Sequence, residues 1–142
     1  MTADALRRWC LGCPGAREEF PFGEQPSVFK VGGKMFALSA LESRPLRVSL
    51  KCEPELGEAL RATYPAIQPG YHLNKRHWLT ITLDGSVPDE TLFELLEDSY
   101  DLVVAGLPAK QRARLARDAT PGSSGRRGYH RPMRTPVPGG GT

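Results

Sequence analysis

The sequence predicts an α+β fold: a two-layer domain in which an antiparallel sheet is covered on one face by helices. Three observations carry this. Two segments alternate apolar and polar residues with the period of two that marks a half-buried strand, namely Leu46, Val48, Leu50 and Cys52 against Arg47, Ser49 and Lys51, and Leu79, Ile81 and Leu83 against Trp78, Thr80 and Thr82. Two further apolar runs flank Gly32-Gly33, a pair that supplies the positive φ angles of a two-residue hairpin turn. Leu92, Phe93, Leu95, Leu96, Tyr100, Val103, Val104 and Leu107 then form a broad stripe at helical spacing. Strands joined by short turns favour antiparallel pairing, and the order reads α-β-β-β-β-α-β-α.

Thr2 caps a first helix with Leu6, Trp9, Cys10 and Cys13 on one side, and Gly12, Pro14 and Gly15 end it. Residues 16–20 form a short edge strand, closed by Pro21 and Gly23. Residues 27–31 and 34–40 make the hairpin, in which Phe29 and Val31 are expected to face inward with Phe36 and Leu38 while Lys30 points outward and Lys34 flanks the turn. After the 46–52 strand, Glu53-Pro54-Glu55 opens a second helix, with proline in its first turn and acids at the positive end of the dipole; Pro65 stops it. A strand over 77–83 ends at Asp84-Gly85, and Pro88 introduces the long helix.

At 142 residues and 39% hydrophobic content, the chain has room for one domain with an appendage. Residues 1–108 form the domain, 109–119 a basic helical extension, and 120–142 a Gly/Pro-rich basic tail expected to be disordered, because it has too little apolar surface to offset ordering entropy. No run approaches the roughly 18 apolar residues of a membrane span, and no basic-then-apolar signal pattern opens the chain. A soluble cytoplasmic protein is the expectation, and three cysteines without framework spacing agree with a reducing compartment. The formal charge of +3 conceals an asymmetry: residues 109–142 carry eight basic side chains against Asp118 alone, a net +7, whereas residues 1–108 carry eleven basic and fifteen acidic ones, a net −4.

The densest polar chemistry lies in residues 69–78, Pro-Gly-Tyr-His-Leu-Asn-Lys-Arg-His-Trp, at the entrance to a strand. His72, Asn74, Lys75, Arg76 and His77 offer donors for a phosphate or carboxylate, and Tyr71 and Trp78 either anchor the loop or stack a base. Lys30, Lys34, Arg47 and Lys51 add cations on the outward parity of the hairpin and of the next strand. The Cys10-Leu-Gly-Cys13 spacing resembles a redox pair but stands at the carboxyl end of its helix, where the dipole does not lower a thiol pKa, so these cysteines read as apolar filler. His72 and His77 with Cys52 and Asp84 do not build a metal site, and no nucleophile–base pattern stands out. Neither catalytic residues, nor a metal, nor a cofactor are expected.

Phe20-Pro21-Phe22-Gly23, Val28 through Leu38, the 69–78 segment and Asp98-Ser99-Tyr100-Asp101-Leu102-Val103 occur in an order that resembles the MmcQ/YjbR family, over roughly residues 4–108. The resemblance implies a CyaY-like double-wing fold and DNA binding, with the wings as the contacting elements; it supplies no catalytic residues. The function expected is therefore non-enzymatic DNA binding through hairpin wings and the basic tail. The alternative is a protein- or small-ligand-binding adaptor whose pocket is lined by the 69–78 loop.

Overall fold

In the computed structural model, which describes residues 1–70 and 73–118, the chain runs α1 (Ala3–Leu11), β1 (Arg17–Glu19), β2 (Ser27–Val31), β3 (Lys34–Ser39), β4 (Arg47–Lys51), α2 (Pro54–Thr63), β5 (Ile67–Pro69), β6 (Trp78–Thr82), α3 (Asp89–Ala105) and α4 (Ala109–Asp118). The disorder expected of residues 120–142 and the roles expected of Tyr71 and His72 lie outside the described residues. The strands pair antiparallel in one sheet of order β1-β2-β3-β4-β6-β5. The α+β class and the antiparallel sheet are those the sequence predicts. What alternation does not reveal is β5, three residues ending in Pro69 at the sheet edge, where a missing amide donor is tolerated.

Register separates the two faces of the sheet. Phe29 lies opposite Ala37, Ala37 opposite Leu50, and Leu50 opposite Leu79, so these four share a row with Val48, Ile81 and Ile67 on the same side. All belong to one core with Leu6 and Cys10 of α1, Leu60 of α2 and Leu92, Leu95, Leu96 and Val103 of α3. The helices start where local chemistry dictates. Thr2 Oγ1 accepts from the Ala5 amide at 3.1 Å, and Pro54 occupies the first turn of α2.

One register shift decides what faces inward. Phe29 pairs with Ala37 but Lys30 pairs with Met35, which leaves Phe36 as the extra residue of a β-bulge on β3. Phe36 and Ala37 are therefore both buried against the helices, 0% and 1% exposed. Leu38 belongs to the opposite side, contrary to the expectation that it pairs inward with Phe36, because strict alternation fails at a bulge. At the same point the β3–β4 register ends at Ala37 and Leu50, and the next opposed groups are bridged by α3. Ser99 Oγ accepts from the Lys51 amide at 2.8 Å and donates to the Phe36 carbonyl at 2.6 Å. Next to it, the Tyr100 hydroxyl donates to the Pro14 carbonyl at 2.5 Å, and its ring stands edge-on to Phe36 at 5.3 Å.

Gly32 and Gly33 form the β2–β3 turn with φ of 60° and 82°. The tip is not free: a Cβ on Gly32 would lie 2.7 Å from both Leu107 methyls and 3.0 Å from Gln111 Oε1, whereas one on Gly33 meets nothing within 4 Å. The junction of α3 and α4 thus sits on the hairpin tip, and one turn further Leu115 packs against Gly15. One flank of the turn is thus packed, while Gly32, Gly33 and Lys34 are exposed.

Two outcomes test this architecture. Gly33→Ala should cost about 1–2 kcal/mol from backbone strain alone, and Gly32→Ala clearly more because overpacking against Leu107 adds to it; urea unfolding of both variants separates the terms. Ser99→Ala should lose about 2 kcal/mol, since it leaves a buried amide and a buried carbonyl without their partner. A loss below about 0.5 kcal/mol would mean that the strands close on each other without the hydroxyl.

Candidate nucleic-acid interface

The face of the sheet turned away from the core carries its own set of side chains. Its middle row runs Glu19, Val28, Leu38, Ser49, Thr80 and Gln68 from strand to strand, with the Ser49 and Thr80 hydroxyls bonded at 2.8 Å. Towards the hairpin tip lie Arg17 opposite Lys30, Lys30 opposite Met35, and Lys51 opposite Trp78; at the other end Arg47 faces Thr82. Val28, Met35, Leu38 and Trp78 take no part in the core cluster. Met35, Leu38 and Trp78 are half-buried, whereas Val28 and the central Ser49 and Thr80 are buried; Arg17, Lys30, Arg47 and Lys51 lie among them. Among the strand residues of this face, Glu19 alone is acidic, and its carboxylate is 3.0 Å from Lys30 Nζ.

Strand direction brings the tip-end elements together. The Gly32-Gly33 turn, the end of β4 at Lys51, the end of β5 and the start of β6 share one edge of the domain, so Lys34 and the 73–77 loop border the same surface as Lys51. Asn74 builds that loop. Its Oδ1 accepts from the Arg76 amide at 2.9 Å and its carbonyl accepts from the His77 and Trp78 amides at 3.3 and 3.0 Å. Lys75 Nζ donates to the Gly70 carbonyl at 3.1 Å, so part of its bonding capacity closes the loop. Arg76 is exposed, and half-buried His77 accepts the Cys52 amide on its carbonyl at 2.8 Å. His72 lies outside the described residues.

α4 extends this positive rim. Gln111 and Leu115 are half-buried while Lys110, Arg112, Arg114 and Arg117 are exposed, and one guanidinium nitrogen of Arg112 donates to the Leu107 carbonyl. Most of the acids are elsewhere. Glu53, Glu55 and Glu58 stand on or at α2, and Asp89, Glu90, Glu94, Glu97, Asp98 and Asp101 on α3, both in the helical layer. Nine of the fifteen acids of residues 1–108 thus stand at α2 and α3, while the strand residues of the outer sheet face carry four cations against Glu19. Arg17, Met35, Leu38 and Trp78 are members of this face that the sequence reading did not assign to it. Outward parity was the available signal for Trp78, while the bulge hid Met35 and Leu38.

Among the described residues, other candidate chemistry is not assembled. His77 precedes β6 and Asp84 follows it, so they stand at opposite ends of a strand and cannot act as a pair. Asp84 instead accepts from the Ser86 hydroxyl at 2.6 Å and the Ser86 amide at 2.9 Å, which holds its carboxyl below the ordinary carboxylate range. Cys10, Cys13 and Cys52 are all buried thiols. Among the described residues no group of three His, Cys, Asp or Glu side chains could hold a metal ion, and no helix is long and apolar enough to cross a membrane. Two clefts of about 330 Å³ open on the helical side, one lined by Ala5, Arg8, Trp9, Gly12 and Phe93, the other by Cys52, Glu53, Leu56, Asp98, Asp101, Leu102 and Ala105. Neither is lined by residues 73–78.

Comparison with known proteins places this architecture among relatives. The YjbR family model matches residues 11–102. The chain is 40% identical over 113 residues to the uncharacterized protein YjbR of Escherichia coli K12, covering 79% of this chain and 95% of that one. It is 36% identical to the uncharacterized protein YbdF of Escherichia coli O157:H7, over 79% of this chain and 92% of that one. A crystal structure of a Deinococcus radiodurans protein with the DUF419 domain superposes with a TM-score of 0.77 at 50% identity, covering 81% of this chain and 88% of that one. A Pseudomonas syringae protein superposes with a TM-score of 0.63 at 28% identity, covering 72% of this chain and 99% of that one.

The face assignment predicts an inversion of side-chain size and cost. Leu79→Ala should lose about 2–5 kcal/mol because it empties a core position. Trp78→Ala, on the helix-free side, should lose about 1–2 kcal/mol, less than the usual cost of truncating a core tryptophan. Chemical denaturation of the two variants checks the order.

Proposed function

The chain belongs to the YjbR family, and from that premise together with its distribution of charge we propose that it is a non-enzymatic DNA-binding protein. Its contact surface is the helix-free sheet face with the tip-end rim. The observation that carries the reading is charge separation within a domain of net negative charge. Arg17, Lys30, Arg47 and Lys51 lie on the sheet side, Lys34, Lys75 and Arg76 border it, and the carboxylates of α2 and α3 lie in the opposite layer. Such a dipolar molecule presents its positive side to a polyanion despite its overall balance, and phosphate neutralisation by those cations supplies sequence-independent affinity. The exposed cations of α4 enlarge the same field. Because the hairpin meets Leu107 and Gln111 at Gly32, the contact is assigned to the sheet face and its tip-end rim together, with the exposed Lys34 at that rim.

The test is binding of random-sequence DNA across a salt series by the full chain and by an Arg47→Glu, Lys51→Glu double variant. The reversal should weaken binding at low salt at least about tenfold and lower the log–log salt slope by about two, the loss of two phosphate contacts. Circular dichroism and thermal unfolding should be little changed. An unaltered slope with an intact fold would place the contacts outside this face.

A further inference from the structure

We propose that the form of nucleic acid this face takes is a single strand laid along the tip-end row of β2, β3, β4 and β6, where Lys30, Met35, Lys51 and Trp78 are partly exposed, with Trp78 stacking a base. This rests on the nucleic-acid reading above and specifies its ligand. A duplex presents phosphates on its outside and keeps its bases within grooves, which an α-helix or a two-stranded ribbon must enter to read them. The sheet face itself offers no such element: the β2–β3 turn meets the α3–α4 junction at Gly32, α4 stands at the rim, and the face is a sheet surface about 15 Å across its four strands. An apolar surface on such a platform has no use for a phosphate. Met35, Leu38 and Trp78 are all partly exposed and excluded from the core, and they suit the flat faces of unstacked bases.

The cations are arranged to match. Lys51 stands in register opposite Trp78, Lys30 opposite Met35, and Arg47 one step beyond the middle row at the other end of β4. Each apolar platform at the tip end therefore has a positive side chain beside it, within reach of the phosphate that adjoins a stacked base. The buried Ser49–Thr80 hydroxyl pair ties β4 to β6 at the centre, so the platform keeps its shape. Sequence preference is expected to be weak, since every base has a π-face to stack.

The experiment compares a labelled mixed-sequence DNA oligonucleotide with the duplex made from it, binding to the full chain by fluorescence anisotropy at two salt concentrations. The single strand should bind the unmodified protein more tightly than the duplex. Trp78→Ala should weaken single-strand binding roughly tenfold, Trp78→Phe should retain most of it, and duplex binding should be indifferent to both. Duplex binding equal to or tighter than single-strand binding overturns this inference and leaves DNA binding standing, as does a Trp78→Ala protein, folded by circular dichroism, that binds the single strand undiminished. No binding of either form at low salt removes both readings. The preference of the unmodified protein is decisive even where a Trp78 variant is poorly folded.

Discussion

The Ser99 hydroxyl, held between the Phe36 carbonyl and the Lys51 amide, is the contact on which the arrangement of both faces depends. It occupies the place of a ladder bond and thereby fastens the long helix to β3 and β4, the two central strands of the sheet, at the point where β3 bulges. A bulge leaves backbone groups unpaired, and a buried unpaired amide or carbonyl is costly. The hydroxyl of a helix residue 0% exposed satisfies both. Given that bridge, Phe36 can turn into the core beside Ala37 and meet the edge of Tyr100, whose own hydroxyl reaches the Pro14 carbonyl at the end of α1. The Asp98-Ser99-Tyr100 segment is thus a structural clasp joining α3 to β3, β4 and the α1–β1 turn.

The same bulge shapes the outer surface. Were β3 to alternate strictly, Leu38 would share the inward face with Phe36. Because Phe36 is the extra residue, Leu38 joins Val28 and Ser49 outside and Met35 joins Lys30. Met35, Leu38 and Trp78 remain partly exposed there beside the buried Val28, and the strand residues around them are four cations and Glu19, which is paired to Lys30. Packing of the core and composition of the candidate interface are therefore two consequences of one irregularity.

Electrostatics makes the two layers unlike. Carboxylates concentrate on α2 and α3, and cations stand on the sheet, on the tip-end loop and on α4, with Arg7, Arg8 and Arg61 on α1 and α2. The helix that carries four of those cations is docked by Leu115 at Gly15 and follows directly from the Leu107 contact at Gly32. Its positive charge consequently lies close to that of the domain, at the edge where Lys34 and Lys51 also stand. The net −4 of residues 1–108 therefore averages over two layers of unlike charge.

By itself the sequence determined the elements wherever a short-range rule applied: period two for β4 and β6, the glycine pair for the β2–β3 turn, Thr2 and Pro54 for helix starts, and the apolar stripe for α3. These rules depend only on neighbours a few residues away. It also carried enough motif order to identify the YjbR resemblance, and outward parity sufficed to pick out Lys30, Arg47 and Lys51. What tertiary structure decided was everything set by partners distant in the chain. β5 exists because β6 offers an edge for three residues to pair with, and the Phe36 bulge exists because Ser99, 63 residues away, supplies its missing partners. Whether His77 meets Asp84, whether the hairpin tip is free, and whether the acids share a side with the lysines were likewise matters of register and packing. No periodicity in the chain encodes them.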